Sequence, residues 1–158
     1  MKKEPYIIAF FFFIVDLISK QLIINLMKIG EQLKIINNFF YITSTRNNGA
    51  AWSILEDKRM LLLIITVFVL FILNKYLNKE HLTKLENFTY GMIIGGIVGN
   101  LFDRIVYKSV VDFLDFKLFG YDYPVFNLAD TFIVVGIIIL IIMSIRKEYY
   151  ARSNSKRK

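Results

Sequence analysis

Two aspartates, Asp112 and Asp130, lie beside the last two of four long apolar segments in this chain. Asp112 follows the third segment, and Asp130 begins the fourth. If both segments cross a bilayer, the chain leaves and re-enters through the same membrane face, and both carboxylates lie near that face. Two carboxylates held close together in a poorly hydrated pocket do not both ionise easily, so one keeps its proton while the other acts as a base toward water. The pair therefore predicts acid–base hydrolysis at a membrane surface.

A third aspartate, Asp115, shares the strand-like stretch VVDFLDF with Asp112. Side chains alternate along a strand, so an odd separation sends these two carboxylates to opposite faces, and only one of them can face Asp130. The spacing does not choose between them. Other nucleophilic chemistry is excluded by residue type, because the chain has no cysteine and its single histidine, His81, lies in a Lys-rich connector. For the same reason we expect no metal or other cofactor.

The composition is that of an integral membrane protein. Of the 158 residues, 56% are hydrophobic and 21% are charged, and the apolar residues form four blocks close to the ~20 residues that a membrane-spanning helix needs. We predict one membrane domain, residues 1–158, that is mainly α-helical, with four transmembrane helices over residues 5–28, 60–76, 88–106 and 126–145. A cleaved signal peptide is the alternative for the first block, but no small-residue cleavage pattern follows its first apolar run.

The charges predict the orientation of these spans. With four spans, both termini and the connector 77–87 share one side of the membrane, while the segments 29–59 and 107–125 share the other. Lysine and arginine are concentrated on the first side, where the whole formal charge of +7 falls, and such enrichment marks the cytoplasmic face. We therefore expect cytoplasmic termini and extracytoplasmic aspartates. Membrane lipid accounts for the basic charge, and no nucleic-acid partner is expected.

The outer segments have the composition of strands. Residues 34–45 and 110–119 are rich in β-branched and aromatic residues, which predicts a small sheet resting on the outer leaflet. Residues 50–55, which include Trp52, are typical of a stretch at the level of the lipid headgroups.

Further polar residues lie inside the predicted spans, where each ionisable group needs a partner or a function. Asp16 and Lys20 are four residues apart on one helical face, so they either neutralise each other or brace a polar cavity shared with other helices. Arg104 can hold a carboxylate or a peptide carbonyl, and the adjacent Asp103 is its expected local partner. Both an architectural role and a role in positioning substrate are open for this cluster, which includes Asn100.

The start of the fourth span has its own polar group. Asn127 lies three residues before Asp130, so its amide can orient that carboxylate. A lone aspartate at this position would instead act only through the helix dipole. Three side chains are of the right type to donate hydrogen bonds to a tetrahedral intermediate. They are Asn47, Asn127 and Arg104.

Together these motifs resemble the bacterial lipoprotein signal peptidases, also called signal peptidase II. The resemblance covers nearly the whole chain, in the family's order. It is carried by Asp16 and Lys20 in the first span, and then by NNGAAW from Asn47, GNLFDR from Gly99, VVDF from Val110 and FNLAD from Phe126. One departure is Trp52, where phenylalanine is more usual, and it bears on the fit of the sheet rather than on the chemistry.

The resemblance implies a four-helix aspartyl endopeptidase with an extracytoplasmic active site and a small β-sheet cradle. It selects Asp112, at the VVDF position, as the catalytic partner of Asp130. The implied supporting or substrate-contacting residues are Asn47, Gly49, Asn100, Arg104, Asn127 and Ala129, whereas Asp16, Lys20 and Asp103 are implied to be structural. The implied substrate is a prolipoprotein whose cysteine carries diacylglycerol, cut on the amino side of that cysteine. Globomycin-like cyclic peptides are implied to occupy the same site.

Two other functions fit parts of the pattern. A small proton- or ion-conducting membrane protein would use the ionisable residues of the spans as a relay, but residues 61–73 and 133–143 lack the ionisable groups that a relay needs at other depths. A membrane scaffold would explain the glycines at four-residue spacing in the third span, which predict close helix packing, but not two aspartates at one interface. These glycines are Gly91, Gly95 and Gly99.

Overall fold

The computed structural model describes residues 3–49, 58–79, 82–118 and 120–155. This part of the chain contains four helices and four strands: α1 (Glu4–Leu26), β1 (Gln32–Ile36), β2 (Phe40–Asn47), α2 (Arg59–Lys79), α3 (Lys84–Val106), β3 (Val110–Leu118), β4 (Tyr121–Asp122) and α4 (Leu128–Ser155). The prediction of a mainly helical protein with a small sheet is confirmed. The predicted headgroup stretch around Trp52 and the connector residue His81 lie outside the described residues.

The start of α3 differs from the predicted span. α3 begins at Lys84 rather than at residue 88 because Thr83 caps it. The Thr83 hydroxyl accepts a hydrogen bond from the Glu86 N–H at 3.2 Å, and the Glu86 carboxylate accepts one from the Thr83 N–H at 2.7 Å. This reciprocal capping stabilises a first turn that is polar, so the apolar run alone did not reveal it.

The start of α4 also differs from the prediction. α4 begins at Leu128 rather than at residue 126, because Phe126 exchanges backbone hydrogen bonds with Leu114 of β3. The helix continues to Ser155, beyond the predicted end at residue 145. The bounds of α1 and α2 agree with the predicted spans to within three residues.

α3 lies between α1 and α4, and its glycines allow close approach on both sides. A Cβ added at Gly95 would lie 2.6 Å from the Ala9 carbonyl oxygen of α1, and one added at Gly96 would lie 2.5 Å from the Ala129 carbonyl oxygen of α4. Both neighbouring helices therefore contact the backbone of α3 directly. The predicted close packing is confirmed, since a Cβ on any of the three glycines at four-residue spacing would meet α1.

Three helices in the described part of the chain are long and apolar enough to cross a membrane, over residues 4–26, 59–78 and 128–149. α2 and α4 leave many of their large apolar side chains exposed, as at a surface that faces lipid. α3 is not among these three helices, because it carries glycines and buried polar side chains such as Asn87 and Asn100. The chain is a membrane protein, and a fourth span formed by α3 stays a prediction.

The strands form one antiparallel sheet in the order β1–β2–β3–β4. β3 is the most buried strand. Its Val111 and Phe113 pack against Ile23 near the end of α1, with Leu128 of α4 beside them. The sheet therefore lies on the ends of two helices, and this contact brings Asp112 to the start of α4.

Gly96→Ala tests the close packing of α3 against α4. The added methyl group would meet the Ala129 carbonyl, so the helices must separate despite the gain in helix propensity. Overpacking of this kind costs about 1–3 kcal/mol, and we expect a lower Tm on thermal unfolding in detergent. Ile64→Ala, at a side chain of α2 that is 62% exposed, is the control and should leave the Tm nearly unchanged. A parental Tm for Gly96→Ala would contradict the packing.

Candidate active site

One cavity of about 620 Å³ lies between the sheet, α3 and the start of α4. Its polar lining consists of Asn47, Asn100, Arg104, Asp112, Asp130 and Thr131. The other lining side chains are apolar or aromatic. The two aspartates at the ends of the last two apolar segments therefore share one pocket.

The second aspartate of β3 makes a different set of contacts. Asp115 accepts hydrogen bonds at Oδ2 from the Thr43 hydroxyl at 2.5 Å and from the Gln32 side-chain amide at 2.9 Å. These partners belong to β1 and β2, and side-chain alternation along β3 separates them from the cavity. The structure thus brings Asp112, and not Asp115, to Asp130. The spacing had left this choice open, and the resemblance had implied Asp112.

Asn127 joins the two aspartates of the cavity. Its Nδ2 donates to Asp112 Oδ1 at 2.7 Å, and its Oδ1 accepts from the Asp130 backbone N–H at 2.9 Å. Its backbone N–H donates in return to Asp130 Oδ2 at 3.3 Å. Asn127 is thus the N-cap of α4, with Asp130 as the acidic residue of a reciprocal capping pair in the first turn. The sequence predicted that Asn127 orients the Asp130 carboxylate, and these reciprocal hydrogen bonds are the contacts through which it can do so.

Asp112 is 3% exposed. Its Oδ1 accepts from Asn127, and its Oδ2 accepts from Asn47 Nδ2 at 3.1 Å. Burial, and secondarily the negative charge of Asp130, raises the pKa of Asp112 to about 7, against the opposing effect of these two hydrogen bonds. Asp112 therefore changes its protonation state near neutral pH, as a general acid or base should.

Asp130 and Asn47 are each held by further groups. Asn100 Nδ2 donates to Asp130 Oδ1 at 2.7 Å. The amide oxygen of Asn100 accepts from Lys20 Nζ at 3.0 Å and from Asn127 Nδ2 at 3.1 Å. The amide oxygen of Asn47 accepts from the Gly49 N–H at 2.8 Å. Each carboxylate of the cavity therefore belongs to a connected hydrogen-bond network.

Arg104 binds peptide carbonyls. Its guanidinium donates to the Gly49 carbonyl at 3.1 Å and to the Asn100 carbonyl at 3.3 Å. The expectation that Asp103 is its local partner is wrong, because Asp103 pairs with Lys20 at 3.1 Å. Adjacent residues on a helix do not face each other, and the two side chains therefore reach different neighbours.

Lys20 lies at the centre of a buried charge cluster. Its ammonium pairs with Asp16 Oδ2 at 2.8 Å and with Asp103 Oδ2 at 3.1 Å. Asp16 Oδ1 accepts from the Ala129 N–H at 2.9 Å, and Asp103 Oδ2 accepts from the Val111 N–H at 3.0 Å. Asp16 and Lys20 thus neutralise each other and also brace α3, α4 and β3, so both alternatives from the sequence apply. In the described ranges, no group of three or more His, Cys, Asp or Glu side chains could hold a metal ion.

The sequence matches the family described as signal peptidase (SPase) II over residues 8–146. The chain belongs to the signal peptidase II family. Two solved structures, each described as a bacterial membrane enzyme determined by the in meso method, share its fold. One is 38% identical, with a TM-score of 0.85, over 91% of this chain and 88% of the other. The second is 39% identical, with a TM-score of 0.79, over 88% of this chain and 90% of the other.

Membership of the signal peptidase II family makes this chain a membrane peptidase of lipoprotein processing. The family assignment made from the sequence motifs is confirmed. Asp112, which is buried, and Asp130, which is half-buried, line one cavity, and this is consistent with the aspartic type of peptidase.

The aromatic wall of the signal peptidase cavity was not predicted. Phe116, Tyr123 and Phe126 line it together with Leu118 and Pro124. The Phe116 and Phe126 rings are stacked with their centroids 5.8 Å apart. Residues 116–126 are visibly rich in aromatics, but only the pairing of β4 with β3 shows that the chain folds back on itself there.

Asp112→Asn tests whether the raised pKa of the Asp112 carboxyl destabilises the folded protein at high pH. A carboxyl whose pKa rises from 3.8 to about 7 on folding favours the folded state below pH 3.8, and this contribution is lost as the pH rises through 7. The neutral amide avoids that loss. The amide also weakens the acceptor of the Asn47 and Asn127 hydrogen bonds at every pH, so we expect the Tm of Asp112→Asn relative to that of the parent to be higher at pH 8 than at pH 4.5.

Asp115→Asn is the matched control for this measurement. It weakens the acceptor of the Thr43 and Gln32 hydrogen bonds, so it should lower the Tm rather than raise it. A Tm difference between Asp112→Asn and the parent that is the same at both pH values would contradict the raised pKa.

Proposed function

We propose that this chain is an aspartyl endopeptidase that removes the signal peptide from diacylglyceryl-modified prolipoproteins, with Asp112 and Asp130 as its catalytic pair. One observation carries the proposal: both carboxylates line one cavity and are joined by Asn127, which donates to Asp112 and caps the turn that holds Asp130. Family membership supports the substrate class.

The two carboxylates take complementary roles in peptide hydrolysis. The ionised carboxylate removes a proton from a water as the water oxygen attacks the carbonyl carbon before the lipidated cysteine. The protonated carboxyl donates a hydrogen bond to the carbonyl oxygen and then supplies the proton that the cysteine nitrogen needs to leave. The pKa of Asp112, near 7, supports a shared proton at neutral pH, and the two groups titrate as a pair.

The supporting residues hold and complement this pair. Asn47, Asn100 and Asn127 donate to the two carboxylates and limit their movement. Arg104 lines the cavity, and its positive charge stabilises the oxyanion of the tetrahedral intermediate.

Gly49 and Ala129 contribute through their backbones. The Gly49 carbonyl accepts from Arg104 and its N–H donates to Asn47, so it fixes two cavity side chains. The Ala129 N–H donates to Asp16, which anchors the first turn of α4. A side chain larger than alanine at 129 would disturb the position of Asp130, because Ala129 is completely buried against α3.

The remainder of the cavity suits a lipidated peptide. On α4 its lining reaches Ile133 and Val134, on a helix that is apolar enough to cross a membrane. A diacylglyceryl cysteine is anchored at the membrane surface by its acyl chains, which can lie against this apolar lining. The bond on the amino side of the cysteine then meets carboxylates at the start of α4. Globomycin-like cyclic peptides would compete for the same cavity.

We further propose that residues 1–158 form one domain in the bacterial cytoplasmic membrane, with α1 to α4 as four spans. Both termini face the cytoplasm, and the sheet and cavity lie at the extracytoplasmic face. The support is the excess of lysine and arginine at the termini and in the connector 77–87. Salt bridges between Lys20 and two aspartates supply partners for the ionisable groups within α1 and α3.

Cleavage of a lipidated precursor peptide in detergent tests the catalytic pair. We expect Asp112→Asn and Asp130→Asn each to lower kcat by about 10²–10⁴-fold or more, because each removes a group that transfers a proton. Asp115→Asn is the matched control on the same strand and should keep most of the parental kcat. Retention of the parental kcat by either of the first two variants would remove the proposed pair.

A further inference from the structure

The ammonium of Lys20 is buried, with the residue 1% exposed. It has three N–H donors and no acceptor. Three oxygens surround it: Asp16 Oδ2 at 2.8 Å, Asp103 Oδ2 at 3.1 Å and Asn100 Oδ1 at 3.0 Å. The first two contacts balance charge. The third contact is to a neutral amide, and it determines which end of that amide faces Lys20.

An ammonium cannot accept a hydrogen bond, so the atom of Asn100 that faces Lys20 must be the oxygen. The NH₂ group of the amide then points away from Lys20, and it lies 2.7 Å from Asp130 Oδ1. If the amide were reversed, N–H groups would face the ammonium, and the amide oxygen would face a carboxylate. Both contacts would be repulsive, so Lys20 and Asp130 favour the same orientation.

We propose that Lys20 is a positioning residue for catalysis, whose ammonium fixes the orientation of the Asn100 amide so that a donor stays on Asp130. This inference rests on the proposed catalytic role of Asp130. Among the described residues, the hydrogen bond that links Lys20 to the catalytic pair runs through Asn100. Its contacts to Asp16 and Asp103 are architectural, because those two aspartates anchor the N–H groups of Ala129 and Val111.

Asn100 differs in this respect from the other two asparagines of the site. The amide oxygens of Asn47 and Asn127 accept from the backbone N–H groups of Gly49 and Asp130. A side-chain substitution does not remove those donors. The Asn100 oxygen accepts from two side chains, Lys20 Nζ at 3.0 Å and Asn127 Nδ2 at 3.1 Å. Lys20 is the charged donor of the two, and its effect on the reaction can be measured by mutation.

The test compares Lys20→Met/Asp103→Asn with Asp103→Asn alone in the full-length protein. The double substitution removes one positive and one negative charge, so the formal charge of the cluster is unchanged. It also removes the Lys20 partner of Asp16, and the Tm of the double variant measures that loss. The asparagine oxygen can still accept from the Val111 N–H, and its nitrogen replaces Asp103 Oδ1, a buried oxygen for which the described residues provide no hydrogen-bond partner. Asp103→Asn alone keeps the contact between Lys20 and Asn100.

We expect the double variant to lower kcat by about 10–100-fold on a lipidated precursor peptide, since a small misplacement of a catalytic group is enough for such a loss. KM should stay within about threefold, because substrate contacts are untouched. Asp103→Asn should keep kcat within about threefold of the parent. A parental kcat for the double variant, or an equal loss in both variants, would overturn the inference.

Asn100→Asp gives a second test that does not require removal of Lys20. The new carboxylate still accepts from Lys20, so a merely structural partnership is kept or strengthened. It replaces the NH₂ group that faces Asp130 with an oxygen, and we expect kcat to fall by about 100-fold or more in the protein that remains folded, as judged by its Tm. A parental kcat in Asn100→Asp would overturn the inference even if the Lys20 variant failed to fold.

The same assay separates this inference from the proposed function. If Asp130→Asn still cuts the peptide at the parental rate, the catalytic pair is wrong and the role of Lys20 falls with it. If Asp130→Asn is inactive while the double variant and Asn100→Asp cut at the parental rate, the catalytic pair stands and the positioning role alone is wrong.

Discussion

A buried lysine ammonium is the interaction on which the rest of this structure depends. Lys20 of α1 pairs with Asp16 of the same helix and with Asp103 of α3, and each of these charges alone would cost several kcal/mol in such a setting. Asp16 also holds the Ala129 N–H at the start of α4, and Asp103 holds the Val111 N–H of β3. One cluster of three charges therefore joins three helices and the sheet at the point where the cavity lies.

The cavity is ordered by the direction of its hydrogen bonds. An amide side chain has an acceptor at one end and donors at the other, so a fixed donor on one side places the NH₂ group on the other. Asn47, Asn100 and Asn127 each have their oxygen bound to such a donor and direct their NH₂ group at Asp112 or Asp130. The two carboxylates are thus held in place by the protein's own side chains, which is the arrangement that the proposed catalysis requires.

Local patterns in the sequence predicted the helices, the sheet and the Asp16–Lys20 pair, because helical spacing and strand composition act over a few residues. They did not choose between Asp112 and Asp115, since alternation shows that two side chains diverge but not which one faces a distant helix. The partner of Asp103 was predicted wrongly for a similar reason, as it lies on another helix. The order of the family motifs implied Asp112, a choice that local spacing could not make. Neither the spacing nor the motifs predicted the aromatic wall of the cavity, because that wall depends on how β4 pairs with β3.

The composition of α3 has a consequence for how the protein is made. α3 is the helix between α1 and α4, yet glycines and buried polar side chains keep it from being apolar enough to enter lipid readily by itself. α1 precedes α3 in the chain and α4 follows it. When α3 has just been synthesised, α1 is therefore already present, but α4 is not. If α3 is the fourth span, as proposed, its insertion is coupled to assembly, because its glycines and buried polar side chains are covered only once it packs against α1 and α4.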